Sequence, residues 1–332
     1  MKVLVTGGAG YIGSTICSAL EDNGYTPVIL DNLSCGRREF TIGKIFYEGD
    51  IGDVDLVERI FFENPDIICT IHCAALIVVP DSVARPFEYY QENISKSLLF
   101  FKKIINLGYP KLIFSSSASI YDDSENYMVY EDSPLNPRSP YARTKYMLEL
   151  IIKDFAVAYN FKSLILRYFN PIGADPNYRS GPYIESPSHL LGKMITAYKN
   201  NEIFKITGVN WDTRDGTGIR DYIHVWDLAL AHVQAVKHID DILNSPDKNY
   251  EIINIGNGQG STVREMLNAF NSVVDKPLVV EETESRPGDV AGAFTNSKKA
   301  KRLLSWETKY SIGEAISSAI KWDEIWKAKI RR

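Results

Sequence analysis

The chain has little cysteine: four residues in 332, at positions 17, 35, 69 and 73. Such sparse placement makes no disulfide framework, so free thiols and a reducing cytoplasm are expected. No apolar run approaches the roughly 18 residues that cross a bilayer, which argues against a membrane partner. The opening "MKVLVTGGAG" turns to glycine too soon for a signal peptide and reads as a first strand. Basic residues never run beyond two or three and the net charge is −5, which argues against nucleic acid. An acidic whole still leaves room for anionic small ligands, because backbone amides and single arginines bind phosphate locally. The "CTIHC" segment, Cys69 to Cys73, has no second ligand cluster elsewhere, so core thiols are expected there and no metal.

With 45% hydrophobic and 24% charged residues, the composition is that of an ordinary soluble globular protein. Short apolar runs predict strands at 2–7, 27–32, 44–50, 67–74, 111–118 and 162–170, with helical patterns near 11–22, 53–63, 86–107 and 140–159. Continuous apolar strands alternating with helices predict a doubly wound parallel α/β sheet covered on both faces. Near Asn170 the segment "NPIGADPNYRSGPYIESPSH" marks a crossing into a second part. Downstream, helices are predicted near 188–200, 226–239, 262–274 and 311–328, with a strand at 250–256. The division expected is 1–171 and a smaller C-terminal α/β domain, 172–332, with some segments returning to the first.

"VTGGAGYIGS" follows the first strand and opens a helix, with Gly7, Gly10 and Gly13 spaced G-x-x-G-x-x-G and Gly8 completing G-x-G-x-x-G. Bare backbone there can approach a pyrophosphate, whose charge the helix N-terminus meets. Asp31, at the end of the second strand, is placed to bind ribose hydroxyls and to favour NAD over NADP. Arg37 and Arg38 nearby could instead accept a 2′-phosphate. Asp50 either meets the adenine edge or caps the following helix. The strand "KLIFSSSASIY" delivers Ser117, and "SPYARTK" places Tyr141 and Lys145 four apart on one helical face, roughly 5–6 Å apart at Cβ.

On these motifs, together with "EGDI" at 48–51, "RYFNP" at 167–171 and "DGTGIRDYIHVWDLA" at 215–229, the chain resembles the extended short-chain dehydrogenase/reductase family, and within it the UDP-hexose 4-epimerases. The resemblance covers nearly the whole length. It implies a Rossmann domain holding NAD and a substrate domain holding a UDP-sugar. It implies that Tyr141 is the acid/base, that Lys145 lowers its pKa and holds the nicotinamide ribose, and that Ser117 is a relay. Free tyrosine titrates near ~10, so a phenolate at neutral pH requires about 4 kcal/mol of stabilisation. The implied cofactor contacts also include Tyr11, Ile12, Asn32, Ile51, Ala74, Asn93 and Tyr168. The implied substrate contacts are Arg220 and Arg286 at the diphosphate, Asp289 at the uridine ribose, and Asn170 near the diphosphate. Arginine suits the task because its planar fork grips phosphate oxygens at two points.

Four positions depart from the resembled pattern. Ile77 stands where a cofactor-touching lysine is usual, and Asp122 replaces a glycine. His189 replaces a substrate-contacting asparagine, and either donates to phosphate or caps a helix. Ala293 stands where some epimerases carry a bulky tyrosine, leaving room for an N-acetyl group beside the sugar. Dehydration is disfavoured because Ala118 and Ser119 follow Ser117 where 4,6-dehydratases place an acidic pair, though Asp122 and Asp123 are near in sequence. Leu98, Leu99, Phe100, Phe101, Ile104 and Ile105 make a helix apolar on more than one face, which with the family habit implies a homodimer. Trp322 and Trp326 read as core. Competing readings are an epimerase of a uronate or pentose nucleotide, and a non-catalytic NAD-sensing protein.

Overall fold

The computed structural model describes residues 1–245, 248–285 and 290–330. The first half runs β1 (Lys2–Thr6), α1 (Tyr11–Asp22), β2 (Thr26–Asp31), β3 (Ile45–Glu48), α2 (Val54–Glu63), β4 (Ile67–His72), α3 (Val79–Ala84), α4 (Pro86–Tyr89), α5 (Lys96–Asn106), β5 (Lys111–Ser117), α6 (Pro140–Tyr159) and β6 (Lys162–Tyr168). The second runs β7 (Asn170–Ile172), α7 (Leu190–Asn200), β8 (Phe204–Thr207), β9 (Ile219–His224), α8 (Val225–Ile242), β10 (Tyr250–Ile255), β11 (Gly260–Thr262), α9 (Val263–Val273), β12 (Val280–Thr283), β13 (Gly292–Ala293), α10 (Lys298–Leu304) and α11 (Ile312–Ile330).

Seven parallel strands form the main sheet in the order β10-β6-β5-β4-β1-β2-β3. Its central strands are apolar on both faces, and each face has its own core. Val3, Val5, Ile71 and Ile113 pack with α1 and α8 on one side, whereas Leu4, Leu112 and Phe114 pack with α2, α5 and α6 on the other. The chain crosses back after residue 171: α8 packs on α1, and β10 supplies the edge strand beside β6. A smaller sheet gathers β11, β9 and β13, with β7 also pairing β9, and β12 pairs β8 in a two-stranded ribbon. These strands are short, and β8 alternates, with Phe204 and Ile206 buried and Lys205 exposed. "IRDYIH" reads as a strand only because β7, β11 and β13 pair with it.

The helix predicted at 86–107 runs unbroken over 86–106 but is not α-helical throughout. Between α4 and α5 the chain widens into a π-helical turn, Tyr90–Ser95, which carries the buried Asn93. Helix α6 starts where Ser139 caps it, its Oγ accepting from Ala142 N–H at 3.1 Å, and Pro140 fits the first turn. It stops at Asn160, which takes the left-handed conformation at φ 52°. Trp322 and Trp326 of α11 are buried and stack on each other at 5.6 Å, with the Phe40 ring tilted against both. Among the described residues, no helix is long and apolar enough to cross a membrane, and no cluster of acidic, histidine or cysteine side chains could hold a metal ion.

Candidate active site

The glycine loop joins β1 to α1 at the carboxyl edge of the sheet. Gly7 has φ +70°, and a Cβ there would come within 2.7 Å of Ala74 N. One at Gly13 would fall 2.2 Å from Gly7 O. Helix α1 begins after Gly10 with no side-chain cap, so its first-turn N–H groups face the loop mouth. Bare backbone and an uncapped N-terminus form a cradle that fits the pyrophosphate of a dinucleotide. Tyr11 turns its hydroxyl onto Gly173 O at 2.6 Å, tying this loop to the chain after β7, while Ile12 packs on the core.

Asp31 ends β2 almost buried, its carboxylate accepting from Ala9 N–H at 3.0 Å and Leu33 N–H at 2.8 Å. Burial pushes its pKa up against those bonds. Arg37 lies 5.1 Å over the Tyr183 ring and Arg38 pairs with Glu48, so both guanidinium groups are engaged. Asp50 accepts from Asn32 at 3.1 Å and Lys96 at 2.7 Å, beside the buried Ile51. Asp53, not Asp50, caps α2.

Strand β5 delivers Ser117 to the same edge, where its Oγ donates to Ser119 Oγ at 2.9 Å and accepts from Ser119 N–H at 3.2 Å. Burial raises the Tyr141 pKa, and the Ser117 side chain works against that rise. Lys145 is buried one turn later, its Nζ donating to Ser115 O at 2.8 Å and lying 5.1 Å from the Phe114 ring centroid. Burial pushes its pKa down to about 8, with Glu149 acting in the opposite direction. Cys73 Sγ lies 3.2 Å from Ser115 Oγ, and burial raises the pKa of the neighbouring strand's Tyr168. Sequence reasoning missed Ser115 as this meeting point. The available signal is that Ser115 lies two residues before Ser117 and shares its face of the strand. Asn93 is fully buried and bonds both backbone groups of Leu76 and the Thr144 hydroxyl. It thereby clamps the loop after β4 to α6.

At the other end, a cavity of about 640 Å³ is lined by Arg220, Tyr222, Lys193, Lys205, Thr207 and Trp211, among others. Arg220 is half-buried on β9 and donates to Ala291 O at 2.6 Å and Val290 O at 3.0 Å. Lys205 escaped the sequence reading because β8 was not foreseen, whereas Lys193 on α7 and Trp211 beyond β8 belong to no motif that marked them. Asn170, on β7, donates to Asp221 O at 3.2 Å. His189 caps α7, its Nδ1 accepting from Gly192 N–H at 3.1 Å, and lines a neighbouring cavity of about 360 Å³ with Tyr11, Tyr183 and Trp322. Ala293 lies opposite Arg220 in the β13–β9 pair. Arg286 and Asp289 lie outside the described residues. Ile77 is exposed in the loop after β4. Asp122 and Asp123 are both held by Arg138, at 3.1 and 2.6 Å, so neither is free to serve as an acid beside Ser117.

Comparison with known proteins follows the same lines. The NAD dependent epimerase/dehydratase family model matches residues 3–256. A Bacillus subtilis protein named UDP-glucose 4-epimerase is 40% identical, over 97% of this chain and 96% of its own. Its namesake from Rhizobium meliloti is 38% identical, over 97% and 96%. The crystal structure of UDP-glucose-4-epimerase from Stenotrophomonas maltophila, with bound NAD and formylated UDP-arabinopyranose, superposes with a TM-score of 0.92 at 32% identity, covering 100% of this chain and 99% of that one. The UDP-Glc/GlcNAc 4-epimerase of Campylobacter jejuni gives 0.82 at 33% identity, over 98% and 99%. A seven-stranded sheet with a bare phosphate cradle, a Ser–Tyr–Lys set at its edge and relatives matched over nearly their full length lead to one assignment: this chain belongs to the NAD dependent epimerase/dehydratase family.

Proposed function

We propose that the chain interconverts UDP-hexoses at C4 through a 4-keto intermediate with NAD as a resident cofactor, converting UDP-galactose and UDP-glucose into each other. The observation that carries this reading is the placement of Ser117 at the end of β5, Tyr141 in the first turn of α6 and Lys145 buried one turn on, its Nζ bonded to Ser115 O, beside the glycine cradle. Residues 1–171 then form the NAD side and 172–332 the UDP-sugar side, with α8 and β10 returning to the first. Ser117, Tyr141 and Lys145 are the catalytic set in this proposal. A chain that only sensed NAD would have no use for all three.

When bound, NAD supplies a positive nicotinamide that takes the C4 hydrogen and later gives it back to the opposite face of the sugar. The side chains do the rest. Tyr141, directly or through Ser117, accepts the 4-OH proton and returns it in the second half of the cycle. Burial alone works against a phenolate there, so the Lys145 ammonium has to lower the Tyr141 pKa while Ser115 O holds that ammonium in place. Arg220 grips the diphosphate, its fork braced by the carbonyls of residues 290 and 291. The 4-keto sugar turns over within the pocket while the nucleotide stays anchored. The test is UDP-galactose deuterated at C4. The expected UDP-glucose retains the label at C4, and its loss to solvent contradicts the mechanism.

The small side chain at Ala293 extends the substrates to UDP-GalNAc and UDP-GlcNAc. Leu98 and Leu99 of α5 and Met147 and Leu150 of α6 are exposed apolar side chains on two helices beside one sheet face. That surface supports a homodimer, which sedimentation of the protein and of Leu99→Glu tests: the variant is expected to sediment as a monomer. Four free cysteines among the described residues support a reducing cytoplasm.

A further inference from the structure

A line of buried polar side chains remains that the mechanism does not use. It starts on α6, one turn beyond Lys145, at Glu149. This carboxylate is fully buried; it accepts from Ser116 Oγ at 2.5 Å, next to Ser117, and from Arg167 at two points, 2.9 and 2.7 Å. Arg167 donates onward to the Tyr121 hydroxyl at 3.0 Å and to Glu131 O at 3.0 Å. The Tyr121 hydroxyl donates to Asn254 Oδ1 at 2.6 Å, and Asn254 Nδ2 donates to Thr295 Oγ1 at 3.2 Å. Thr295 lies two residues beyond Ala293. Its N–H donates to the buried carboxylate of Asp221, the neighbour of Arg220, at 3.3 Å.

Two further contacts run in parallel with this line. Phe294 N–H donates to Tyr127 O at 2.8 Å and Phe294 O accepts from Val129 N–H at 2.8 Å, so the segment after β5 is joined by backbone bonds to the segment after β13. The Tyr121 ring packs with Val129 and Phe169, and against that cluster lie both Ala118, the residue after Ser117, and Ala293. The cluster that holds the Tyr121 ring thus lies against Ala118 at the catalytic edge and against Ala293 together. A buried ion pair is a costly way to fill space, whereas its two-point geometry fixes orientation. An apolar filling would pack this region without setting the register between the two segments.

We propose that Tyr121 is a positioning residue: through Arg167–Glu149 on one side and Asn254–Thr295 on the other, it sets the distance from Ser117 to the Ala293 wall and so helps determine which C2 substituent the pocket accepts. The consequence for sugar choice rests on the UDP-hexose reading; the mechanical link does not. Tyr121→Phe keeps the ring and removes the hydroxyl, and Thr295→Val cuts the far end of the same line. Hydrogen exchange of the NAD-loaded protein reads the link without catalysis. Both variants are expected to speed exchange across 291–296 and at the start of α6 at least threefold, leaving α1 unchanged. Kinetics should show kcat lower by about tenfold, bound NAD at wild-type stoichiometry, and a kcat/KM ratio of UDP-GalNAc to UDP-galactose shifted at least threefold. The double variant should be no worse than the weaker single one, because both cut one line. Unchanged exchange across 291–296 in both variants overturns the proposal, as do losses that multiply in the double variant. Faster exchange in a protein whose wild type converts no UDP-hexose upholds the link and overturns the substrate reading instead.

Discussion

At the dinucleotide end, Gly7, Gly10 and Gly13 leave bare backbone at the mouth of a long helix on a seven-stranded sheet. At the sugar end, Arg220 reaches its cavity from a strand paired only with short neighbours and is braced by carbonyls at 290 and 291. The first end recognises through what side chains would obstruct. The second recognises through one long side chain whose aim depends on distant backbone. Tolerance to change should differ accordingly: at the cradle one added methyl group is intolerable, while at the arginine charge and reach decide. The catalytic set lies where the two ends meet, and it should be separable from both.

Tyr141→Phe gives the sharpest separation. Its kcat should fall about 10³-fold, within the usual range for losing a general acid/base, while NAD content and UDP affinity stay at wild-type values. Loss of cofactor in this variant would make Tyr141 part of the cradle instead. Next, Gly13→Ala forces a Cβ to 2.2 Å from Gly7 O, so the loop must open. NAD content of the purified protein should drop by at least tenfold, with melting temperature lowered by a destabilisation of about 1–3 kcal/mol. Arg220→Ala should do the converse, raising the UDP Kd by roughly 10–100-fold, the worth of a charged hydrogen bond of about 1.5–3 kcal/mol, at unchanged NAD content. A matching loss of NAD would erase the distinction between the ends. Ala293→Tyr should lower kcat/KM for UDP-GalNAc about tenfold more than for UDP-galactose; equal losses remove the case for a roomy pocket.

The smallest effect concerns the junction itself. Burial disfavours the Lys145 ammonium, so in the NAD-free protein it should titrate near about 8 rather than the ordinary ~10.4, as read from its side-chain carbon resonance. Its sign in folding follows. The lysine is charged in both states below about 8 and opposes folding there. That opposition fades as pH rises from about 8 to ~10.4, where the unfolded chain binds the extra proton. Normal titration would mean that Lys145 is better solvated than its bond to Ser115 O implies.

How much could be read without coordinates follows the same division. The glycine spacing, the strand alternation and the i, i+4 placement of Tyr141 and Lys145 are local, because backbone geometry imposes them within one or two elements. Ser115 was missed because its partners Cys73 and Lys145 lie 42 and 30 residues away in the chain. Sequence reading could not show that the Asn93 amide also holds Leu76 and Thr144, 17 and 51 residues away. For His189 the local alternative, a helix cap, is the one observed. Strand β8 is only four residues long, too short for its Phe204–Ile206 alternation to stand out, and the cavity it helps to wall was reached through resemblance.

The central claim is that the isolated chain carries everything needed to invert C4 of a UDP-hexose. The most direct test incubates the purified protein, with no added cofactor, separately with UDP-galactose and UDP-GalNAc and follows the anomeric protons by NMR. The account predicts that both convert to their C4 epimers. No conversion of either, even after NAD is added, contradicts it.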